Sequence, residues 1–273
     1  MQQATMPPLA YVDQLNARYQ ALGFPPYDWT VNDTAPLTPL AKSLAECRVS
    51  LLTTGGISRV DAPPFDADAR NDLRLDAIPS NTPADRFQIN DNYYDHRDAG
   101  RDINCQFPLE RLHELAAAGV IGSVAPRLWS GFMGRIYIRN EVCEVAAPAF
   151  ARELAADGVD VLVLIPACPL DHQTAGLVAR VVEEHGIVTT LLSTGRDLSW
   201  NVRAPRTAFV NHPMGNALGA PCDADGQRAV LAATLALAES VTAGGTLVDL
   251  PYAWPTPFAM HFPMKSREDQ LKK

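Results

Sequence analysis

The sequence lacks the features of secreted, membrane-spanning and nucleic-acid-binding proteins. Its five cysteines have no paired spacing, which argues against a disulfide framework and against a zinc ribbon or finger. It has neither a long apolar run nor a basic, then apolar, N-terminal leader, so a cytoplasmic location is expected. The net charge is −8 without a basic cluster, so nucleic acid and membranes are not expected partners.

Several common enzyme motifs are missing too. No Gly-x-Gly-x-x-Gly follows a strand, and the chain has no Walker loop and no Gly-x-Ser-x-Gly elbow. Dinucleotide binding, phosphoryl transfer and serine hydrolysis therefore lose their usual support, and no cofactor is predicted. Asp95, His96, Asp171 and His172 could in principle hold a metal, but they lack paired ligand spacing and no metal is predicted.

The chain is long and apolar enough for a sizeable core, with 273 residues of which 47% are hydrophobic. From residue 109 onward, helical spacing alternates with short apolar runs typical of buried strands. This pattern predicts an α/β fold, a three-layer sandwich with a parallel sheet. We expect a single domain over residues 1–273, with an N-terminal helical extension at 1–45 and an irregular insertion or lid at 63–105. Predicted helices cover 109–119, 141–157, 170–186 and 226–241, and predicted strands cover 47–54, 120–124, 159–165, 187–193, 207–211 and 246–250.

The most informative residue is Cys168, which follows the predicted strand 159–165. Pro166 ends that strand, and Pro169 suits the first position of a helix, so Cys168 is expected to be the N-cap. Unpaired amides at a helix N-terminus favour a thiolate. The sequence therefore predicts a partly ionised thiol at the mouth of a cleft, although a buried structural cysteine is the competing interpretation.

Polar residues follow the other strands, and the carboxyl ends of parallel strands share one edge of a sheet. We expect these residues to converge around Cys168 and bind a small-molecule substrate. Arg127 could hold a carboxylate with its planar fork, and glycine amides could face an anion. The candidate substrate-binding residues are Gly55, Gly56, His96, Arg127, Thr194, Gly195 and Asn211.

Short motifs in a fixed order make the chain resemble a known family. They are Thr53–Ile57, Asp95–His96, Arg101–Asn104 with Phe107–Leu112, Ile121–Pro126, Phe132–Gly134 and Cys168–Gln173, within Ala45–Leu250. Together they resemble the B subunits of glycine, sarcosine and betaine reductase and of D-proline reductase. The resemblance implies reductive cleavage of a carbon–nitrogen bond at a selenocysteine or cysteine, which would be Cys168, and implies partner reductase subunits. A homodimer is the base-rate expectation for oligomeric state.

One departure from the family matters. The resemblance places a second cysteine three positions after the first, where this chain has Asp171. Cys168 is then the expected nucleophile, with Asp171 or His172 as proton donor. Three hypotheses stay open: a thiol-dependent reductase of a small amino acid or amine derivative, a redox-neutral lyase, isomerase or hydrolase, and a non-catalytic subunit.

Overall fold

The alternating sequence pattern produces one main sheet with helices on both faces in the computed structural model, which describes residues 6–261. The strands of the chain are β1 (Arg48–Thr53), β2 (Ile57–Arg59), β3 (Leu75–Pro79), β4 (Phe87–Ile89), β5 (Ser123–Val124), β6 (Arg127–Gly131), β7 (Val161–Ile165), β8 (Val188–Ser193), β9 (Arg206–Asn211) and β10 (Thr246–Ala253). The helices are α1 (Tyr11–Ala21), α2 (Leu109–Ala117), α3 (Arg139–Glu141), α4 (Ala147–Ala156), α5 (Pro169–Glu184), α6 (Arg196–Val202), α7 (Ala224–Leu235) and α8 (Leu237–Ser240).

The main sheet has the order β10-β9-β8-β7-β1-β6-β3, with the short β5 beside β1. All neighbouring pairs are parallel except β3 with β6, which is antiparallel at the edge. The strands β2 and β4 form a separate antiparallel pair. All five residues of β7 are buried, as expected for a strand covered on both faces.

Two apolar cores lie on the two faces of this sheet. One contains Leu112 of α2 and Leu231 of α7, and the other contains Phe150 of α4 and Val178 of α5. The three-layer α/β prediction is therefore confirmed. None of the helices within residues 6–261 is both long and apolar enough to cross a membrane.

Two parts of the sequence interpretation need correction. Arg127 follows β5 as predicted, but it also opens β6, a strand that the pattern did not reveal. Arg127 consequently lies at the amino edge of the sheet, opposite the end of β7 that leads to Cys168. The segment 63–105 was expected to be an irregular insertion or lid, yet β3 within it pairs with β6. An edge strand tolerates polar residues because one side of it stays open to water.

Candidate active site

The loops after β1, β7, β8 and β9 meet at the carboxyl edge of the sheet, as predicted. The Oγ1 atom of Thr54 accepts a hydrogen bond from the Ala167 amide at 3.1 Å, which joins the first two loops. The Gly195 amide donates to Nε2 of His172 at 3.1 Å, which joins the second and third. A Cβ atom on Gly195 would lie 3.3 Å from Cε of Met214, so the fourth loop is adjacent.

Cys168 is the N-cap of α5, and Pro169 occupies the first helical position, which confirms the sequence prediction. The Cys168 amide donates to Oδ2 of Asp171 at 3.0 Å. The Gly134 amide donates to Oδ1 of the same carboxyl at 2.8 Å. Asp171 therefore closes a capping box that fixes the entry of α5 and places a carboxyl beside the thiol.

The thiol itself does not lie at the mouth of a cleft. The Cys168 side chain is 2% exposed, and burial raises the pKa of its thiol well above the usual range, with a further rise from the neighbouring Asp171 and Asp91 carboxyls. The prediction of a partly ionised, accessible thiol is thus wrong for this conformation. Desolvation and two nearby carboxyls outweigh the helix N-terminus, which favours the thiolate only modestly.

A segment near the N-terminus, here called the strap (residues 6–30), covers the thiol. Tyr11, Leu15 and Tyr19 on the buried face of α1 belong to the same apolar cluster as Cys168. The Val12 amide donates to Oδ2 of Asp197, the residue after the start of α6, at 2.8 Å. The strap thus packs on Cys168 together with Tyr94 of the segment 63–105, where a lid was expected.

Polar contacts also secure the distal part of the strap. The Thr30 amide donates to Oε1 of Gln173 at 2.7 Å, and Nε2 of Gln173 donates to the Tyr27 hydroxyl at 2.9 Å. Nδ2 of Asn211 donates to the Met6 carbonyl at 2.5 Å, so this predicted substrate-binding residue contacts the strap. The strap therefore covers Cys168 on this side.

Two buried carboxyls lie beside the thiol, and both hold protons more tightly than usual. Burial raises the pKa of Asp171 to about 7, although hydrogen bonds from Cys168, Thr54 and Gly134 oppose that rise. Burial and the charge of Asp171 raise the pKa of Asp91 well above its usual range. Two such carboxyls in one dry site favour a form in which at least one is protonated.

His172 is anchored on both sides of its ring. Its Nδ1 lies 2.7 Å from the Cys168 carbonyl, and its Nε2 accepts from the Thr194 amide at 3.2 Å as well as from Gly195. Since Nε2 accepts, Nδ1 carries the proton and donates. Burial lowers the pKa of His172 to about 4, so the ring is neutral at pH 7. The amides of Thr194 and Gly195 are thereby directed at the ring.

The remaining predicted residues divide between this edge and the rest of the molecule. The Gly55 carbonyl accepts from the Tyr94 hydroxyl at 2.8 Å, and Gly56 has a φ of 61° with its backbone against Asn90. His96 is half-buried, with its ring 5.7 Å from that of Tyr94. Arg127 lies apart at the amino edge, where Nε and Nη2 pair with Asp157 and Nη1 pairs with Glu153.

Sequence reasoning missed Asp91 and Arg135, which are both buried near Cys168. Asp91 is 1% exposed and Arg135 is 8% exposed. Asp91 lies in a polar stretch typical of a surface loop, and Arg135 is a single charge among apolar residues, so hydropathy did not mark either as a site residue. Their positions beside the motifs Asp95–His96 and Phe132–Gly134 were the available clue.

Comparison with known proteins supports the motif-based resemblance. The chain is 30% identical over 217 residues to the D-proline reductase subunit gamma of Acetoanaerobium sticklandii, an alignment that covers 80% of this chain and 88% of the relative. The chain belongs to the D-proline reductase gamma-subunit family. The chain is also similar to the glycine reductase complex component B subunit gamma of Carboxydothermus hydrogenoformans, with 26% identity, and to the sarcosine reductase complex component B subunit beta of Peptoclostridium acidaminophilum, with 25% identity.

The relation to the glycine and sarcosine reductase subunits is partial. The alignments cover 67% and 70% of this chain but 43% and 44% of those two relatives, so the chain spans less than half their length. No family model matches the chain. No solved structure matches it either.

Proposed function

We propose that this member of the D-proline reductase gamma-subunit family is a thiol-dependent reductase of a small amino acid or amine derivative, with Cys168 as nucleophile. The observation that carries the proposal is the capping box, in which the thiol and the Asp171 carboxyl meet at the start of α5. Family membership supports the reductase assignment. The names of the relatives, which are subunits of reductases, support a partner reductase subunit.

The proposed reaction cleaves a carbon–nitrogen bond in two steps. In the first step the Asp171 carboxylate takes the proton of the Cys168 thiol, the sulfur attacks the carbon, a C–S bond forms and the C–N bond breaks. The amine leaves with its electron pair and takes a proton from Asp171, whose raised pKa suits a general acid near neutral pH. In the second step one thiol of an external dithiol attacks the Cys168 sulfur, the C–S bond breaks, and the carbon leaves as a carbanion that is protonated. The second thiol then breaks the mixed disulfide, which releases Cys168 as a thiol and leaves the dithiol as a disulfide.

An external reductant is needed because the internal one is missing. Asp171 stands where the family resemblance places a second cysteine, so Cys168 has no thiol three positions away with which to form a disulfide. Two electrons and two protons therefore come from the dithiol for each bond cleaved. His172 has the role of positioning the Cys168 carbonyl in this proposal, since both its ring nitrogens are engaged. Arg127 takes no part, because it lies at the opposite edge of the sheet.

The test uses the full chain with D-proline, sarcosine and glycine in turn, plus dithiothreitol. Product amine and oxidised dithiothreitol should appear in equal amounts, and Cys168→Ala should abolish both. Cys222→Ala is the matched control, because Cys222 is an exposed cysteine and its loss should leave the rate unchanged. With dithiothreitol withheld, mass spectrometry should find a thioether adduct on Cys168. An undiminished rate in Cys168→Ala would refute the proposal.

A redox-neutral reaction on the same residues is the second candidate. It is favoured by the pairing of a single thiol with a carboxyl of raised pKa, which suffices for nucleophilic attack and proton transfer without electrons. Turnover that continues with no dithiol present would select this candidate. A stable partner subunit together with an inert Cys168→Ala phenotype would instead indicate a non-catalytic subunit.

A further inference from the structure

Cys105 and Cys222 share two neighbours in the fold, although they lie more than a hundred positions apart in the chain. Cys105 ends the 3₁₀ turn Ile103–Cys105 and is fully buried. Cys222 is exposed in the loop that precedes α7. Both are free thiols, and the proposed reaction at Cys168 uses neither of them. An accessible thiol next to a second one is the arrangement of a reacting and a resolving cysteine.

The side chains of Asp102 and Gln227 hold the two cysteines near each other. Oδ2 of Asp102 accepts from the Cys222 amide at 2.7 Å and from Nε2 of Gln227 at 2.8 Å. The same Nε2 atom lies 4.0 Å from Sγ of Cys105, and the Cys105 amide donates to the Asp102 carbonyl at 3.1 Å. One oxygen and one nitrogen therefore separate the backbone of Cys222 from the sulfur of Cys105.

The state of the buried thiol agrees with this arrangement. Burial raises the pKa of Cys105, and nearby Asp102, Asp98 and Cys222 raise it further. Cys105 is consequently a neutral thiol while the pair is reduced. A thiolate would stabilise the reduced form of the pair, so its absence favours the disulfide.

Two features of this place have no explanation in packing. Cys222 has a φ of 64°, in the left-handed region that is strained for a residue with a Cβ atom. Oε1 of Gln227, a fully buried side chain, has no hydrogen-bond partner among residues 6–261. Backbone strain and an unsatisfied buried oxygen cluster at functional sites, redox sites included.

The position of the exposed thiol determines the order of the chemical steps. Hydrogen peroxide reaches Cys222, whose sulfur attacks one peroxide oxygen, and the thiol becomes a sulfenic acid as one water leaves. The Cys105 sulfur then attacks the Cys222 sulfur, the S–S bond forms and the S–O bond breaks. The hydroxyl group leaves with the Cys105 proton as a second water. Two thiols and one peroxide thus give one disulfide and two waters, and a dithiol reverses the change as it is itself oxidised to a disulfide.

We propose that Cys105 and Cys222 form a reversible dithiol–disulfide pair, a site of oxidation by hydroperoxides that does not include Cys168. Its disulfide links the loop before α7 to the segment before α2. That segment borders the reactive loop, since Nε2 of Gln106 donates to the Ile165 and Pro166 carbonyls at 3.0 and 3.2 Å. The pair supplies no electrons to the proposed reaction, so this inference stands or falls independently of it.

The experiment treats the reduced, desalted full chain with hydrogen peroxide in native buffer. Remaining thiols are then alkylated in urea, and peptides are mapped by mass spectrometry without a reductant. We expect a peptide cross-linked through Cys105 and Cys222 in most of the chain, which dithiothreitol removes. In Cys222→Ser, Cys105 should stay a free thiol. In Cys105→Ser, dimedone labelling of Cys222 should rise at least about tenfold, because its sulfenic acid no longer condenses with a thiol.

The matched control is Cys143→Ser, which removes a half-buried cysteine outside the pair and should leave the cross-link unchanged. Cys168→Ser should leave it unchanged as well. If Cys105→Ser does not fold, the parent and Cys222→Ser decide. A cross-link that contains Cys168, a Cys222–Cys222 dimer in its place, or an oxidised Cys222 beside an alkylated Cys105 would overturn the proposal. A cross-link that forms only when peroxide is added in urea, or a Cys222 that peroxide leaves unchanged, would do the same.

Discussion

The strap should control chemical access to Cys168, and one substitution tests this directly. Tyr11 is 2% exposed and packs in the cluster that covers the thiol. Truncating a buried aromatic side chain typically lowers the free energy of unfolding by about 3–5 kcal/mol. Because α1 is a short helix at the edge of the molecule, we take about 2–3 kcal/mol as the free energy by which Tyr11 holds the strap closed. If the strap opens as a local equilibrium, Tyr11→Ala should raise the alkylation rate of Cys168 by about 30-fold to 150-fold.

The assay is time-resolved iodoacetamide labelling of the native full chain, read by peptide mass spectrometry. Cys222 is exposed and should react first in every variant, whereas Cys168 should react slowly in the parent. Cys47 is fully buried in the main core and reports global unfolding. Gln20→Ala, on the exposed face of α1, is the matched control and should leave the Cys168 rate unchanged.

Two results would refute this reasoning. Labelling of Cys168 as fast as that of Cys222 in the parent would show that the strap does not cover the thiol. Labelling of Cys168 only together with Cys47, in the parent and in Tyr11→Ala alike, would show that the strap opens only when the whole domain unfolds. The expected result is separate acceleration of Cys168 with Cys47 still protected.

Three further outcomes follow from the buried groups of α5. Burial raises the pKa of Asp171 to about 7, so the folded protein keeps a proton that the unfolded chain releases above about pH 4. Asp171→Asn should therefore lower the free energy of unfolding most below about pH 4, and this loss should shrink by at most about 1.4 kcal/mol per pH unit toward pH 7. Urea unfolding of parent and variant across this range measures the loss. A loss that grows with pH would contradict the expectation. Gly176→Ala should lower the free energy of unfolding by about 1–3 kcal/mol, because the added methyl group would lie 2.4 Å from Cγ1 of Val202. Thermal unfolding measures this loss, and unchanged stability would show that α6 shifts away from the methyl group at no cost. Glu183→Gln leaves the buried Arg206 guanidinium without its 2.5 Å carboxylate partner and should cost about 3–5 kcal/mol in urea unfolding; a loss below about 1 kcal/mol, as for a surface pair, would contradict it.

The sequence located the reactive loop because local rules apply there. An apolar run followed by Pro166, Ala167, Cys168 and Pro169 favours the end of a buried strand and the start of a helix, and the structure has Cys168 as the N-cap of α5. Polar residues after β1, β8 and β9 were expected at the same edge for the same reason, since parallel strands end together. The prediction that Arg127 lies at this edge was wrong because β6 is short and begins with a charged residue, so its sequence pattern resembles the end of a loop.

The sequence by itself determined the α/β alternation, the position of Cys168 and Asp171 at the start of a helix, and the family to which the chain belongs. Tertiary structure alone decided the state of the thiol, because burial beneath α1 involves residues more than a hundred positions away in the chain. It also decided that Arg127 pairs with Asp157 and Glu153 at the opposite edge and that Asp91 lies close enough to the thiol to raise its pKa. Desolvation and charge act through space, and a one-dimensional pattern of polar and apolar residues does not encode which polar side chains become enclosed.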